Sequence, residues 1–268
     1  MVVHYLSLVL GTSDSLLYNS LLKQGRDLGL KRDARELGKQ VYAWDMAEFD
    51  GYQALSQVSN QTTEAEIRQI YDNWATNYEM DTNSHGYVAH KTCTDVFDAE
   101  MAKAYPKDRL SLRVMDAGAG TGIVGEHLQQ LGYTNVDGLD ISQEMLNIAR
   151  QKRVYKNLIC AGLSETEIAE IADGQYEGIV CSGTITVAHV KAASLGELRR
   201  WLKPGGIICF TIRQDALELP EYGYKQKIDE MVTTGTWEMR HKSLIQYHSK
   251  AGVKGGQDNC FVLVFKAT

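Results

Sequence analysis

Proline is scarce in this sequence of 268 residues, three in all, and no run of about 18 uncharged apolar residues occurs in it. The first shortage excludes proline-rich and low-complexity readings, and the second leaves no membrane-spanning helix to expect. The five cysteines, Cys93, Cys160, Cys181, Cys209 and Cys260, are odd in number and widely spaced. No C-x-x-C and no Cys/His group at zinc-ligand spacing is present, so no metal is expected and reduced thiols are the default. Basic charge is also short, with 28 Lys+Arg against 34 Asp+Glu for a net charge of −6. A chain whose affinity came from neutralising phosphates would need a strongly basic face, so no nucleic-acid partner is expected. The stretch from Met1 to Gly11 has no basic flank and is interrupted at Ser13-Asp14, unlike a secretory leader. A soluble, cytoplasmic chain with no membrane partner follows as the expectation, its oligomeric state unknown. What remains, 44% hydrophobic and 23% charged, suits one large α/β domain or one domain with an appendage.

Residues 1–60 read as a helical N-terminal extension. Leu16, Leu17, Leu21, Leu22, Leu28 and Leu30 recur at helical intervals, followed by the basic residues Lys31, Arg32 and Arg35. From Thr62 a threonine cap precedes Ile67, Ile70, Tyr71, Trp74 and Tyr78 on one helical face. A second helix is expected over about 94–105, ended by Pro106. Strands and helices then alternate: strands at 112–116, 135–139, 157–160, 176–182 and 207–213, with helices between them. One of these helices is short and follows Ser164, whose spacing to Glu167 is that of a capping box. Such alternation builds a parallel sheet covered on both faces. Residues 61–268 are therefore read as one domain, with a cofactor-binding core over about 110–213. A substrate-side insertion over about 214–247 follows, polar at first, then a helix and strands that could pair antiparallel at the sheet edge.

The sequence Asp116-Ala-Gly118-Ala119-Gly120-Thr-Gly122 lies where the first strand turns into a helix. Glycines there let the backbone approach a ligand, and the N–H groups of the helix start face polar or anionic atoms. Asp140, ending the second strand, can accept from both hydroxyls of a ribose. Together these residues indicate a nucleoside-containing cofactor at the carboxyl edge of the sheet. Gly120, Gly122 and Gly125 also satisfy G-x-G-x-x-G, so a dinucleotide and an NAD(P)-dependent oxidoreductase stay open. Asp116 favours a ligand carrying positive charge, because a carboxylate before the glycines repels a pyrophosphate.

Asp116 to Gly122, Val136-Asp-Gly-Leu-Asp140-Ile-Ser and Leu202-Lys-Pro-Gly-Gly206 resemble the class I S-adenosylmethionine-dependent methyltransferases. Ile70 to Tyr78, Val154-Tyr-Lys-Asn-Leu158 and Ser182-Gly-Thr-Ile-Thr-Val-Ala-His189-Val resemble, more narrowly, the methyltransferase-like proteins named after the Williams-Beuren syndrome region. The resemblance covers about residues 68–213. It implies a Rossmann-like, mostly parallel sheet of seven strands, order 3-2-1-4-5-7-6 with the last strand antiparallel, and S-adenosyl-L-methionine as cofactor. By the same resemblance Asp116, Gly118, Ala119, Gly120 and Gly122 hold the methionine portion and Asp140 the ribose. Ile141 and Met145 pack on the adenine, and Ala161, Gly162 and Leu163 meet its edge, with Ser182 nearby at the end of the fourth strand. Many relatives carry an acid at about Gly162 that accepts from the exocyclic amine. Its absence here leaves that task to backbone groups, Ser164, Glu165 or a looser fit.

Methyl transfer from a sulfonium is an in-line displacement, so alignment and exclusion of water matter most. Tyr71, Trp74 and Tyr78 could cover the cofactor, since aromatic faces tolerate a sulfonium. The helical spacing suits core packing equally. His189 and Tyr78 are the catalytic candidates, His189 as a base or orienting group for an N, O or S nucleophile or as a structural histidine. His85 and His90 are weaker ones. The expected acceptor is a small-molecule substrate, bounded by the 62–105 region and by Tyr222, Tyr224, Trp237, Arg240, His241 and Tyr247. A non-catalytic binding module keeping the fold is the remaining alternative.

Overall fold

A computed structural model describes residues 49–59, 61–186, 190–249 and 259–268. The expected helical extension lies outside the described residues except for 49–59, and His189 lies outside them as well. One compact unit runs from Phe49 to Thr268.

Among the described residues, three short helices and one long one precede the sheet: α1 (Gly51–Leu55), α2 (Glu64–Trp74), α3 (Tyr78–Ser84) and α4 (Ala89–Ala104). Thr63 caps α2 in a reciprocal capping box with Glu66. The alternating part follows as β1 (Val114–Ala117), α5 (Ile123–Gln130), β2 (Val136–Asp140), α6 (Gln143–Lys152), β3 (Leu158–Cys160), β4 (Tyr176–Ile185), α7 (Leu195–Trp201) and β5 (Leu202–Arg213). The 214–247 region, read as polar at first, holds α8 (Gln214–Glu218), α9 (Tyr224–Thr233) and β6 (Trp237–Gln246). Strand β7 (Asn259–Ala267) then inserts between β5 and β6.

The sheet order is β3-β2-β1-β4-β5-β7-β6, parallel through β5, with β7 antiparallel to both its neighbours. This is the Rossmann-like order that the resemblance implies. Successive residues of the central strands face opposite sides. Met115, Ile179, Ile208 and Phe210 join the side chains of α7 and α9, whereas Val114, Val180, Ile207 and Cys209 meet Phe97, Met101 and Leu128 from α4 and α5. Both faces are thereby dry, and the apolar runs in these strands need no polar alternation.

The helix expected after Ser164 does not form. The backbone there is satisfied from α7 instead: Ile168 N–H donates to Glu197 Oε1 at 3.0 Å, and Arg200 donates to the carbonyls of Ile168 and Ile171. Side chains far along the chain outcompete a local helical ladder there.

Strand β1 has β2 on one side and β4 on the other, the point at which the winding of the sheet reverses. Beyond the carboxyl ends of such strands the helices diverge and leave a crevice. The candidate site grows from that edge.

Candidate active site

After Ala117 the chain turns through Gly118 and Gly120, at φ +87° and +53°, the left-handed region that a residue with a Cβ rarely enters. A Cβ on Gly118 would lie 1.8 Å from Thr184 Oγ1, so the loop presses directly against the end of β4. A Cβ on Gly120 would meet nothing within 4 Å; it would project into open space. The loop is therefore a backbone cradle with its concave side free.

Asp140 stands opposite. Gly120 N–H donates to its Oδ2 at 2.8 Å and Ser142 N–H to its Oδ1 at 2.9 Å, so the backbone fixes both oxygens. Burial pushes this carboxyl up to about 6, against those N–H groups, and the charge of Asp72 adds to the rise. Asp72 lies on α2, and its Oδ1 accepts from Ser142 Oγ at 2.6 Å and from Glu144 N–H at 3.3 Å. Helix α2 is thus hooked onto the first turn of α6, whose cap is Ser142.

These elements enclose a cavity of about 500 Å³. Its walls bring together Tyr71, Tyr78, Gly118, Gly120, Asp140, Ile141, Met145, Ala161, Gly162, Leu163 and Ser182. Glu64, at the start of α2, reaches the same wall: a Cβ on Gly162 would sit 2.6 Å from Glu64 Oε1.

Four expected cofactor contacts are absent from this wall. Asp116 is fully buried beneath the loop, where Tyr155 Oη donates to its Oδ2 at 2.6 Å. Burial pushes Asp116 up to about 7, and the tyrosine hydroxyl holds it lower than burial alone would. Ala119, 5% exposed, packs inward against Gly138. Gly122 faces the Tyr155 ring and Ala149. Trp74 is 2% exposed, covers Gly51 and donates from Nε1 to Asp81 at 2.7 Å. Its helical spacing served core packing against Tyr52 and Tyr78.

A second cavity of about 250 Å³ shares Tyr71, Tyr78 and Gly183 with the first. Tyr52, Tyr87, Tyr222, Tyr247 and Trp74 make it aromatic, while Arg213, Asp215 and His248 add polar groups. Over Gly183 stand two hydroxyls: a Cβ there would be 2.8 Å from Tyr87 Oη and 3.2 Å from Tyr247 Oη. Tyr87 Oη also lies 3.2 Å from Ser182 Oγ. Burial, with neighbouring tyrosines, pushes the phenols of Tyr71, Tyr78 and Tyr87 well up, so all three are neutral hydrogen-bonding groups rather than bases. Arg213 donates through Nε to Asp215 Oδ1 at 3.0 Å and through Nη2 to Oδ2.

Of the residues expected around the acceptor, Tyr222 and Tyr247 reach this cavity. Tyr224 and Trp237 are buried in the core, Arg240 pairs with Glu238, and His241 bonds Ser243. His85 and His90 line neither cavity; burial lowers His90 to about 4. Cys181, fully buried with its thiol pushed well up, is a small core residue. All five cysteines are free, and no group of three metal-binding side chains occurs among the described residues. Nor is any described helix long and apolar enough to cross a membrane.

The methyltransferase domain family matches residues 114–206, the span from β1 into β5. Methyltransferase-like protein 27 of Homo sapiens is 26% identical over 175 residues, 65% of this chain and 69% of that protein. A malonyl-[acyl-carrier protein] O-methyltransferase of Pectobacterium atrosepticum is 30% identical over 148 residues, 52% of this chain and 56% of that one. Among solved structures, magnesium protoporphyrin IX methyltransferase from Synechocystis PCC 6803 with bound SAM superposes at a TM-score of 0.54. It is 15% identical, and the match covers 78% of this chain and 100% of that one.

Residues 114–206 therefore carry a methyltransferase domain.

The open cradle at Gly120 beside Asp140 suits the nucleoside of S-adenosylmethionine, the ligand bound in the Synechocystis structure. Of the three glycines in the dinucleotide-like pattern only Gly120 lines the cavity, while Gly122 and Gly125 face Tyr155. Gly125 is small for another reason: a Cβ there would lie 2.4 Å from Tyr155 Cζ, and its N–H donates to Tyr155 Oη at 3.2 Å. Tyr155, Asp72, Glu64 and His248 are the site residues that sequence reasoning did not single out. Tyr155 and Asp72 had a signal, as parts of Val154 to Leu158 and of Ile70 to Tyr78.

Proposed function

We propose that this methyltransferase holds the cofactor in the larger cavity and a compact small-molecule acceptor in the smaller one. The observation that carries the reading is the shared wall of Tyr71, Tyr78 and Gly183 between the two cavities. When bound, the cofactor supplies an electrophilic methyl on a sulfonium. This chain's part is to align an acceptor with that methyl and keep water away. Asp140, pre-oriented by two backbone N–H groups, accepts from the ribose hydroxyls. Gly118 and Gly120 receive the methionine portion, and Ile141, Met145 and Leu163 flank the base. Asp116 acts from beneath, holding the loop through Tyr155 rather than touching the ligand.

On the acceptor side, an aromatic cavity of about 250 Å³ is below the roughly 300–1,000 Å³ usual for ligand pockets, which supports a compact molecule. The neutral phenols of Tyr78 and Tyr87 orient an N, O or S nucleophile by hydrogen bonding. His248, whose Nε2 lies 3.4 Å from Tyr52 Oη, is the described imidazole on this wall for an acceptor that must lose a proton.

Calorimetric titration of the full chain with S-adenosylhomocysteine tests the cofactor half. Asp140→Ala is expected to weaken binding more than tenfold, about 1.5–3 kcal/mol; unchanged affinity in a folded variant would move the ribose elsewhere. Incubation with methyl-labelled cofactor and a cell extract tests the other half. Label in the small-molecule fraction is expected, and label confined to protein would overturn the small-molecule acceptor.

A further inference from the structure

Building on the reading that the larger cavity takes the adenosyl cofactor, we propose that Glu64 accepts a hydrogen bond from the exocyclic amine of the adenine and so sets the choice of base. Adenine differs from its deaminated counterparts at this position, where it carries an N–H₂ donor. A site that selects for that donor needs an acceptor facing it. The wall segment Ala161, Gly162 and Leu163 brings no polar side chain of its own.

Space beside Gly162 is nevertheless filled by a carboxylate. A Cβ on Gly162 would stand 2.6 Å from Oε1, 2.7 Å from Cδ and 3.0 Å from Oε2 of Glu64. A side chain at 162 and the present position of Glu64 therefore exclude each other, and the glycine is what lets a carboxylate from another element lie against this strand edge. Both residues line the cavity.

The carboxylate lies at the rim of the cavity, its side chain 54% exposed, and is held there by its place in the helix. Glu64 is the first residue of α2, immediately after the Thr63 cap. Arg68 Nη2 donates to its Oε1 at 3.2 Å one turn later. An ionised carboxylate has about four lone-pair sites, so one such bond leaves capacity for a ligand amine. Asp72, farther along α2, hooks that helix to Ser142, the cap of α6, next to Asp140. Helix α2 is thus fixed to the ribose end of the site while its first residue reaches the base end. Glu165 also lines the cavity but does not make this contact with Gly162, and it is the rival acceptor to be tested.

The test is isothermal titration of the full chain with S-adenosylhomocysteine and with its 6-deamino analogue, which carries hydrogen in place of the amine. The unaltered protein is expected to prefer the amine-bearing ligand by about tenfold. Glu64→Ala should reduce that preference to about twofold or less while keeping its affinity for the deamino analogue; loss of the preference in Glu165→Ala with Glu64 intact would overturn the proposal in favour of Glu165. Adding Gly162→Asp to Glu64→Ala returns a carboxylate from the strand side and should restore the preference. An undiminished preference in Glu64→Ala overturns the proposal and leaves the cofactor site standing. Equal loss of both ligands also overturns it, since Glu64 would then be a support for α2 and not a reader of the base. Failure of the unaltered protein to bind S-adenosylhomocysteine overturns the reading of the cavity itself.

Discussion

Replacing Tyr155 with phenylalanine removes one oxygen atom from beneath the glycine loop, and the structure says what that atom does. It donates to Asp116 Oδ2 at 2.6 Å and accepts from Gly125 N–H at 3.2 Å. Asp116 has no exposure to solvent, so water does not replace the lost donor easily. A hydrogen bond to an ionised group is worth about 1.5–3 kcal/mol and an ordinary backbone one about 0.5–1.5 kcal/mol, so Tyr155→Phe should cost about 2–4 kcal/mol where Asp116 is charged. At roughly 2–4 °C per kcal/mol for a chain of this size, the midpoint of thermal unfolding should fall by about 5–15 °C. The cost should depend on pH. Burial raises Asp116 from 3.8 to about 7, so its contribution to stability is complete below the unfolded value and is lost as pH rises through about 7. Tyr155 limits that rise, and the variant should therefore lose more stability than the parent between about pH 5.5 and 8.5. Melting curves by circular dichroism at both pH values decide the matter. A midpoint unchanged at pH 8.5, or a deficit larger at pH 5.5, would refute the role given to this pair.

Gly118→Ala should destabilise by about 2–4 kcal/mol in urea denaturation, because φ is +87° and the new methyl would lie 1.8 Å from Thr184 Oγ1. Adding Thr184→Ala should recover part of that loss and no more, since the backbone strain remains. Affinity for S-adenosylhomocysteine should fall as pH drops through about 6, where Asp140 takes up a proton and ceases to be a two-oxygen acceptor. A flat profile between about pH 5 and 8 in calorimetry would show that Asp140 does not hold the ribose.

Much of the fold was legible because its signals are local. Glycines between a strand and a helix, a threonine cap before α2, and apolar runs at strand length each act over a few residues. The helix expected after Ser164 shows where this reasoning stops: its backbone partners, Glu197 and Arg200, come from α7. Trp74 shows the same limit within the site. Its spacing with Tyr71 and Tyr78 could not tell which ring faces the cavity and which covers Gly51.

The sequence by itself determined the order of strands and helices, the turn at Gly118 to Gly122, and the acid at Asp140, because backbone conformation and capping depend on neighbours in the chain. Only the tertiary structure decided that Asp116 lies under the loop on Tyr155, and that Asp72 ties α2 to α6. It alone brought Glu64 against Gly162 and joined two cavities at Tyr71, Tyr78 and Gly183. Those contacts join residues distant in sequence, and they arise only when burial of both faces of the sheet has brought the helices to its carboxyl edge.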